Sequence, residues 1–243
     1  MADLLCLDRG NSGLKGLLYD GNCVVARPKF DENWRRALAR MPLDKIDVAL
    51  CSVAPSRDKE LRAFFSEKGV DVWTLRGDSE VPFPVDIRGR ETLGADRLAN
   101  MAFAYLNRRY PAIVVDAGSA VTLDLMDAEG RYRGGLIIPG PRLWLQGLAE
   151  GGELLPAVDL VPDIPLLGLE TREALAAGAV WGLREAVQGL IVRLGALIEE
   201  PVSVILTGGA APLLAEAWRG EAPSSERDWT LQGLAGLYRW NHR

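Results

Sequence analysis

Residues 5–26 of the chain read LCLDRGNSGLKGLLYDGNCVVA, and residues 114–137 read VVDAGSAVTLDLMDAEGRYRGGLI. Each stretch is an apolar run ending in Asp–x–Gly, a returning run, a glycine-containing turn (20–21 in one copy, 127–130 in the other) and a third run. Asp8 is thereby equivalent to Asp116, and Gly10 to Gly118. A repeat on this scale limits the fold more than local propensity does, because each copy must bury the same face. Tight turns between apolar runs predict a three-strand antiparallel meander opening each copy. Helix and strand patterns alternate after each meander, so we expect an α/β protein of two duplicated lobes, 1–109 and 110–243.

In the first lobe the patterning predicts strands at 22–27, 46–53 and 70–75, the second of them buried and parallel. Helices are expected at 33–40, stopped near Pro42, and at 58–68 with Leu61, Phe64 and Phe65 inward. Residues 81–91, rich in proline, glycine and arginine, read as a loop. A helix is expected from Thr92, with Leu98, Met101, Ala102, Tyr105 and Leu106 at helical spacing. In the second lobe, 139–165 reads as an irregular segment and 171–199 as one long helix or two. Leu175, Leu183, Val187, Leu190, Leu194 and Leu197 make its apolar stripe. Val180 and Trp181 form a second apolar face that leaves room for a subunit contact. A buried strand at 202–206 runs into Thr207, Gly208 and Gly209, followed by helices at 211–218 and 231–240.

With 48% hydrophobic and 25% charged residues among 243, the chain is an ordinary soluble globular protein with room for real cores. A net charge of -5 speaks against a nucleic-acid partner. Cys6, Cys23 and Cys51 show no CxxC spacing, which suits a reducing compartment and not a structural zinc site. No basic region precedes the first apolar run, and no stretch approaches ~18 continuous apolar residues. The expectation is a cytoplasmic protein without membrane contact. The single histidine, His242, lies one residue from the end. Acid–base chemistry therefore falls to carboxylates, lysine or tyrosine.

An Asp–x–Gly–Asn–Ser turn gathers a carboxylate, a hydroxyl and backbone N–H groups around one concavity. Such a turn can hold phosphate oxygens on its amides while the carboxylate holds a cation. Asp8, Gly10, Asn11 and Ser12 are placed for this, and Lys15 adds a point charge for the same anion. The same residue types also build plain hairpin turns. The second copy at Asp116 and Ser119 favours a site, because two facing hairpins would line a cleft for a polyphosphate with its cation. Gly208 and Gly209, between a strand and a helix, suit the adenosine side. Neither GxxxxGK[ST] nor GxGxxG is present, so no P-loop or dinucleotide fold accounts for the phosphates. Phosphoryl transfer needs a group to orient or deprotonate the attacking hydroxyl. Asp96, at a helix start in LGADR (93–97), is the candidate. The alternative for Asp96 is a helix N-terminal carboxylate worth ~0.3–1 kcal/mol, and for Arg97 an exposed surface arginine.

DRGNSGLK (8–15), LGADR (93–97), DAGSAVTLD (116–124), GGLIIPG (134–140) and TGG (207–209) together resemble the type III pantothenate kinase family. The resemblance runs over nearly the whole chain in order and spacing, with Gly94–Arg97 its most diagnostic element. It implies the actin-like ATPase/sugar-kinase fold, two duplicated ribonuclease-H-like lobes with a nucleotide cleft between them. It also implies phosphorylation of pantothenate by ATP to 4'-phosphopantothenate, the first step of coenzyme A synthesis. The family uses Mg2+ and a monovalent cation, K+ or NH4+, and works as a homodimer. Carried over, Asp8, Gly10, Asn11, Ser12, Lys15, Ser119, Gly208 and Gly209 would bind ATP, with Asp8 toward Mg2+. Asp96 would accept the proton of the pantothenate hydroxyl, and Gly94, Ala95, Asp96 and Arg97 would line the substrate pocket. Asp116 would hold the monovalent cation, with Asp124 a supporting group. Thr171 would reach the substrate at the dimer interface.

The chain departs from the family pattern in two respects. Ser12 and Ser119 stand where threonine is usual, and both keep the hydroxyl. Residues 85–92 (VDIRGRET) lack the aromatic residue and the proline common before LGADR, and no tyrosine is evident for the pantothenate pocket. Two other readings stay open on these residues: a same-fold kinase for another small hydroxylated acid, and a non-catalytic nucleotide-binding homologue.

Overall fold

A computed structural model describes residues 3–243 except 12 and 217. The chain divides into two compact units, one running to Arg109 and including Asp228–Arg243, the other spanning Tyr110–Arg227.

The first unit opens with the expected meander of β1 (Leu4–Gly10), β2 (Gly13–Asp20) and β3 (Cys23–Ala26), with a short β4 (Lys29–Phe30) paired to β2. It continues through α1 (Trp34–Ala39), β5 (Asp47–Ser52), α2 (Pro55–Glu67), β6 (Val72–Leu75) and α3 (Ala95–Leu106). The strand order is β3-β2-β1-β5-β6, with β5 parallel to both β1 and β6. Strand alternation sends Leu5, Leu7, Val48 and Leu50 to one face, where they pack with Trp34, Leu38, Leu61, Phe64 and Phe65 of α1 and α2. Leu4, Cys6, Asp8, Ala49 and Cys51 belong to the opposite face.

Two helix starts differ from the expectation, each for a local reason. Helix α2 begins at Pro55 rather than at 58, because the Ala54 carbonyl accepts the Arg57 and Asp58 amides and Ser52 Oγ accepts the Ala54 amide at 3.1 Å. Helix α3 begins at Ala95 rather than Thr92, because Arg90–Thr92 make a separate 3₁₀ turn and Gly94 is extended.

The second unit repeats the meander as β7 (Ala112–Ala117), β8 (Ala120–Met126) and β9 (Tyr132–Pro139). It then runs α4 (Pro141–Gly151), α5 (Thr171–Gly195), β10 (Ser203–Thr207), α6 (Ala211–Ala215) and β11 (Ser224–Ser225). The strand order is β11-β10-β7-β8-β9, with β10 parallel to both β7 and β11. Ile113, Val115 and Ala117 turn toward the core with Val121, Leu123, Val180, Leu183 and Val187. Helix α4 replaces part of the segment expected to be irregular. Proline is compatible with a first helical turn, and Leu145 is buried while Trp144 packs on the core. The expected 171–199 is one helix rather than two and ends at Gly195, and α6 is five residues long, shorter than the expected 211–218. Helix α5 is the one helix among the described residues long and apolar enough to cross a membrane by length and composition. Val180, expected on a face open to a subunit contact, is instead buried with Leu183 and Val187 in the unit's core, where Trp181 also packs, and the buried Arg184 donates to the Leu213 carbonyl at 2.8 Å.

The closing helix α7 (Trp229–Asn241) was expected in the second lobe, and it packs in the first unit instead. It lies against β1, β5 and α3 on the face that carries Cys6 and Asp8. Gly233 sets its approach, since a Cβ there would collide with the Ala99 carbonyl. Trp229 Nε1 donates to the Asn100 carbonyl at 2.9 Å, and Thr230 Oγ1 to Asn100 Oδ1 at 2.8 Å. The buried indole and hydroxyl are thereby satisfied, as interior polar groups require.

Candidate active site

In each unit the parallel strands end at one edge of the sheet, the edge where open α/β sheets bind ligands. In the first unit that edge carries the ends of β1, β5 and β6. Asp8, half-buried near the end of β1, has Lys15 opposite it on β2 and Cys51 beside it on β5. Asn11 is exposed in the turn, and the β1–β2 ladder closes at Gly10↔Gly13. Ser12 lies outside the described residues.

Gly94–Arg97 come to the same edge by way of β6. A Cβ on Gly77, two residues beyond β6, would strike the carbonyls of Arg90 and Leu93. Only glycine lets the chain lie that close. The LGADR segment is therefore seated near the end of β6, a strand separated from β1 by β5 alone. Helix α3 packs on β5 and α7, on the Asp8 face of the sheet. Asp96 Oδ1 accepts the Arg97 amide at 2.8 Å and would sit 2.5 Å from a Cβ on Gly94. The carboxylate is thus folded over Gly94 at the helix start, with Ala95 buried beneath and Asp96 and Arg97 half-buried. A carboxylate at the amide end of a helix is stabilised as an anion by the exposed N–H groups. Residues 85–92 do not reach this edge as an aromatic wall. Phe83, just before them, is buried against Tyr105 at 5.3 Å between ring centroids.

The second unit builds its edge from β7 and β10. Asp116 pairs with Thr207 on β10 and with Thr122 on β8. Gly208, at φ +90°, approaches so closely that a Cβ would lie 2.6 Å from Asp116 Oδ1 and 2.5 Å from the Ala117 carbonyl. The positive φ and the contact each demand glycine. Gly209 has open space around it. Ser119 is exposed in the β7–β8 turn, and its carbonyl accepts the Gly140 amide at 2.9 Å. The last glycine of GGLIIPG therefore packs beneath the Asp–x–Gly–Ser turn. Asp124 is fully buried and accepts the Tyr132 hydroxyl at 2.5 Å, tying β8 to the following strand within the sheet.

Register shows how the duplicated carboxylates differ. Asp8 is flanked by an ammonium and a thiol, Asp116 by two hydroxyls. Thr122 is 9% exposed, and its Oγ1 is buried without a hydrogen-bond partner among the described residues. An orphaned hydroxyl beside a carboxylate is a ready oxygen ligand for a hard cation. Sequence reasoning did not single out Thr122 or a side-chain role for Thr207, although the repeat places Thr122 where Lys15 stands in the first copy.

Thr171 opens α5 and is exposed. Leu166, Leu167 and Leu169 just before it are exposed as well, Leu169 by 87%. The structure thus brings Asp8, Lys15 and Gly94–Arg97 to one edge of the first unit. It gathers Asp116, Ser119 and Gly208 at one edge of the second, and places Thr171 apart at a helix start. No group of three or more His, Cys, Asp or Glu side chains among the described residues is placed to hold a metal alone.

The family model described as type III pantothenate kinase matches residues 4–193. A type III pantothenate kinase of Zymomonas mobilis is 32% identical over 255 residues, covering 97% of this chain and 92% of its own. A solved Campylobacter jejuni protein of the Baf family aligns with a TM-score of 0.65 at 20% identity, covering 98% of each chain. The activator of the 2-hydroxyisocaproyl-CoA dehydratase from Clostridium difficile, solved with bound ADPNP, aligns at TM-score 0.55 and 14% identity over 100% of this chain and 95% of its own. The fold is that of the actin-like ATPases and sugar kinases, and the chain belongs to the type III pantothenate kinase family.

Proposed function

We propose that this protein transfers the γ-phosphoryl group of ATP to the primary hydroxyl of pantothenate, giving 4'-phosphopantothenate and ADP. The reading is supported by the placement of Asp8 with Lys15 at the end of β1 and of the LGADR segment at the end of β6, on the same edge of the first unit's sheet. The two functions required of a kinase site, anion binding and hydroxyl activation, are both represented among the residues at that edge. Family membership supports pantothenate as the acceptor.

In this reading Gly10, Asn11, Ser12 and Lys15 bind the phosphates, and Ser119, Gly208 and Gly209 serve the nucleotide from the second unit. Asp96 accepts the proton of the acceptor hydroxyl as its oxygen bonds to the γ-phosphorus and ADP departs. Gly94, Ala95 and Arg97 position the acceptor, with the Arg97 guanidinium suited to its carboxylate. Thr171 reaches the acceptor of a second subunit. Asp8 would hold Mg2+ as a single carboxylate, with phosphates and water completing the shell, the usual pattern for that ion. Asp116, with Thr122 and Thr207 at its sides, would hold K+ or NH4+. The two cations supply charge neutralisation for the phosphates when bound. The exposed leucines before Thr171 form an apolar surface that a second copy would cover in a homodimer. We place the protein in the cytoplasm, where ATP is available.

ADP release measured across a panel of small hydroxylated acids tests the assignment. Pantothenate should be preferred by at least about tenfold in kcat/KM, and a stronger response to another acid would reassign the substrate. Pantothenate-independent nucleotide binding with no turnover on any acid would make the protein a binding module.

A further inference from the structure

Helix α2 reaches the phosphate hairpin through two residues of its first turn. Arg57 Nη1 donates to the carbonyl of Asn11 at 2.6 Å. Asp58, 7% exposed, accepts the Ser52 hydroxyl at 2.7 Å, while Ser52 Oγ accepts the Ala54 amide. Val53, between them, donates its amide to the Arg9 carbonyl at 3.2 Å. The start of α2 is thereby fastened to β1 next to Asp8.

Arg9 is bound into the same cluster. Its guanidinium lies over the Trp34 ring, 5.6 Å from the centroid, and its Nε is buried with no partner among the described residues. Burial lowers the Arg9 pKa, and the Asp58 charge opposes that shift. A buried guanidinium short of one partner costs stability. Asp58 offsets part of that cost while anchoring the turn from which Arg57 extends.

The Arg57 bond is not needed to form the hairpin. The β1–β2 ladder is complete to Gly10↔Gly13, and Asn11 lies beyond it. Arg57 therefore holds a residue beyond the ladder, Asn11, which is among those assigned to the phosphates. We infer that Arg57, backed by Asp58, is a positioning residue of the nucleotide site, holding Asn11 by its carbonyl where its backbone can serve the phosphates. This rests on the phosphate role given to residues 8–15 above. The ligand class it serves is a nucleoside triphosphate, and the acceptor should be indifferent to it.

The test compares wild type, Arg57→Ala and Arg57→Lys by ATP titration calorimetry, steady-state kinetics and thermal melting. Arg57→Ala should raise the Kd and KM for ATP about tenfold, leaving kcat and the KM for pantothenate within about twofold and Tm within about 2 °C. Arg57→Lys should recover most of the affinity, because an ammonium still donates one bond to a carbonyl. Unchanged ATP affinity in Arg57→Ala against a wild type that binds ATP would overturn the clamp alone. So would an affinity loss accompanied by equal falls of Tm in both variants, which marks a structural role. A wild type that binds no ATP would overturn the phosphate role of the hairpin and the clamp with it.

Discussion

Asp8 and Asp116 occupy the same place in two copies of one meander, yet their neighbours suit them to different cations. Beside Asp8 stands Lys15, which would balance the phosphates of the proposed ligand; beside Asp116 stand Thr122 and Thr207, which offer neutral oxygens. Thr122→Val removes the orphaned hydroxyl at nearly constant volume. Thermal melting with and without K+ should show the stabilisation by K+ reduced, with the K+ concentration for half-maximal effect raised about tenfold. Stability without K+ should hold or rise, because an unsatisfied buried hydroxyl is lost. An unchanged K+ response would remove Thr122 from the cation site. Asp8 and Asp116 were legible in the sequence because carboxylate and glycine recur together. Thr122 was not, since threonine is common in strands and only register shows which side chain stands beside Asp116.

Helix α7 gives the first unit a titration of its own. Burial, then a hydrogen bond to Asp47, pushes the Tyr238 phenol up to about 12. Burial raises the Tyr19 phenol and the Cys6 thiol in the same direction. A raised folded-state pKa means that the native protein keeps a proton the unfolded chain loses, above ~8.5 for a thiol and above ~10 for a phenol such as Tyr238. The Tyr238 contribution is fully present below that pH and is lost as pH climbs toward about 12. Urea midpoints measured from neutral to alkaline pH should therefore fall, and Tyr238→Phe should make the fall shallower without abolishing it. An identical slope in the variant would show that Tyr238 does not carry this linkage. At this scale the sequence was a good guide where period and turn chemistry agreed, as in both meanders and the strand at 46–53. It missed α4, whose flanking prolines and glycines resemble loop composition although Pro141 sits where a helix tolerates it. It also began α3 three residues early, because the 3₁₀ turn before Gly94 carries no distinct apolar period.

Across the whole molecule the repeat predicted two α/β units, and the assignment of the last helix is where chain order misled. Position in sequence put 229–241 with the second lobe, whereas Trp229, Gly233 and Thr230 fit it to α3 in the first. That pairing is a tertiary fact with no local signature. The proposed homodimer belongs to this scale too. Exposed Leu166, Leu167 and Leu169 lead into Thr171, so light scattering should give twice the mass of one chain. Leu167→Asp with Leu169→Asp should shift the protein toward monomer and depress pantothenate turnover more than ATP binding. A wild type that is monomeric throughout would sever Thr171 from any role in a shared site.

In the proposed reaction Asp96 removes the proton from the pantothenate hydroxyl while the hairpin at 8–15 holds the nucleotide. The most direct test is the rate of 4'-phosphopantothenate formation, followed by mass spectrometry, for wild type and Asp96→Asn at saturating ATP with K+ present. Wild type should give product, and Asp96→Asn a kcat lowered roughly 10²–10⁴-fold with the Kd for ATP unchanged. Asp96→Asn turnover within a few-fold of wild type would contradict that role for Asp96.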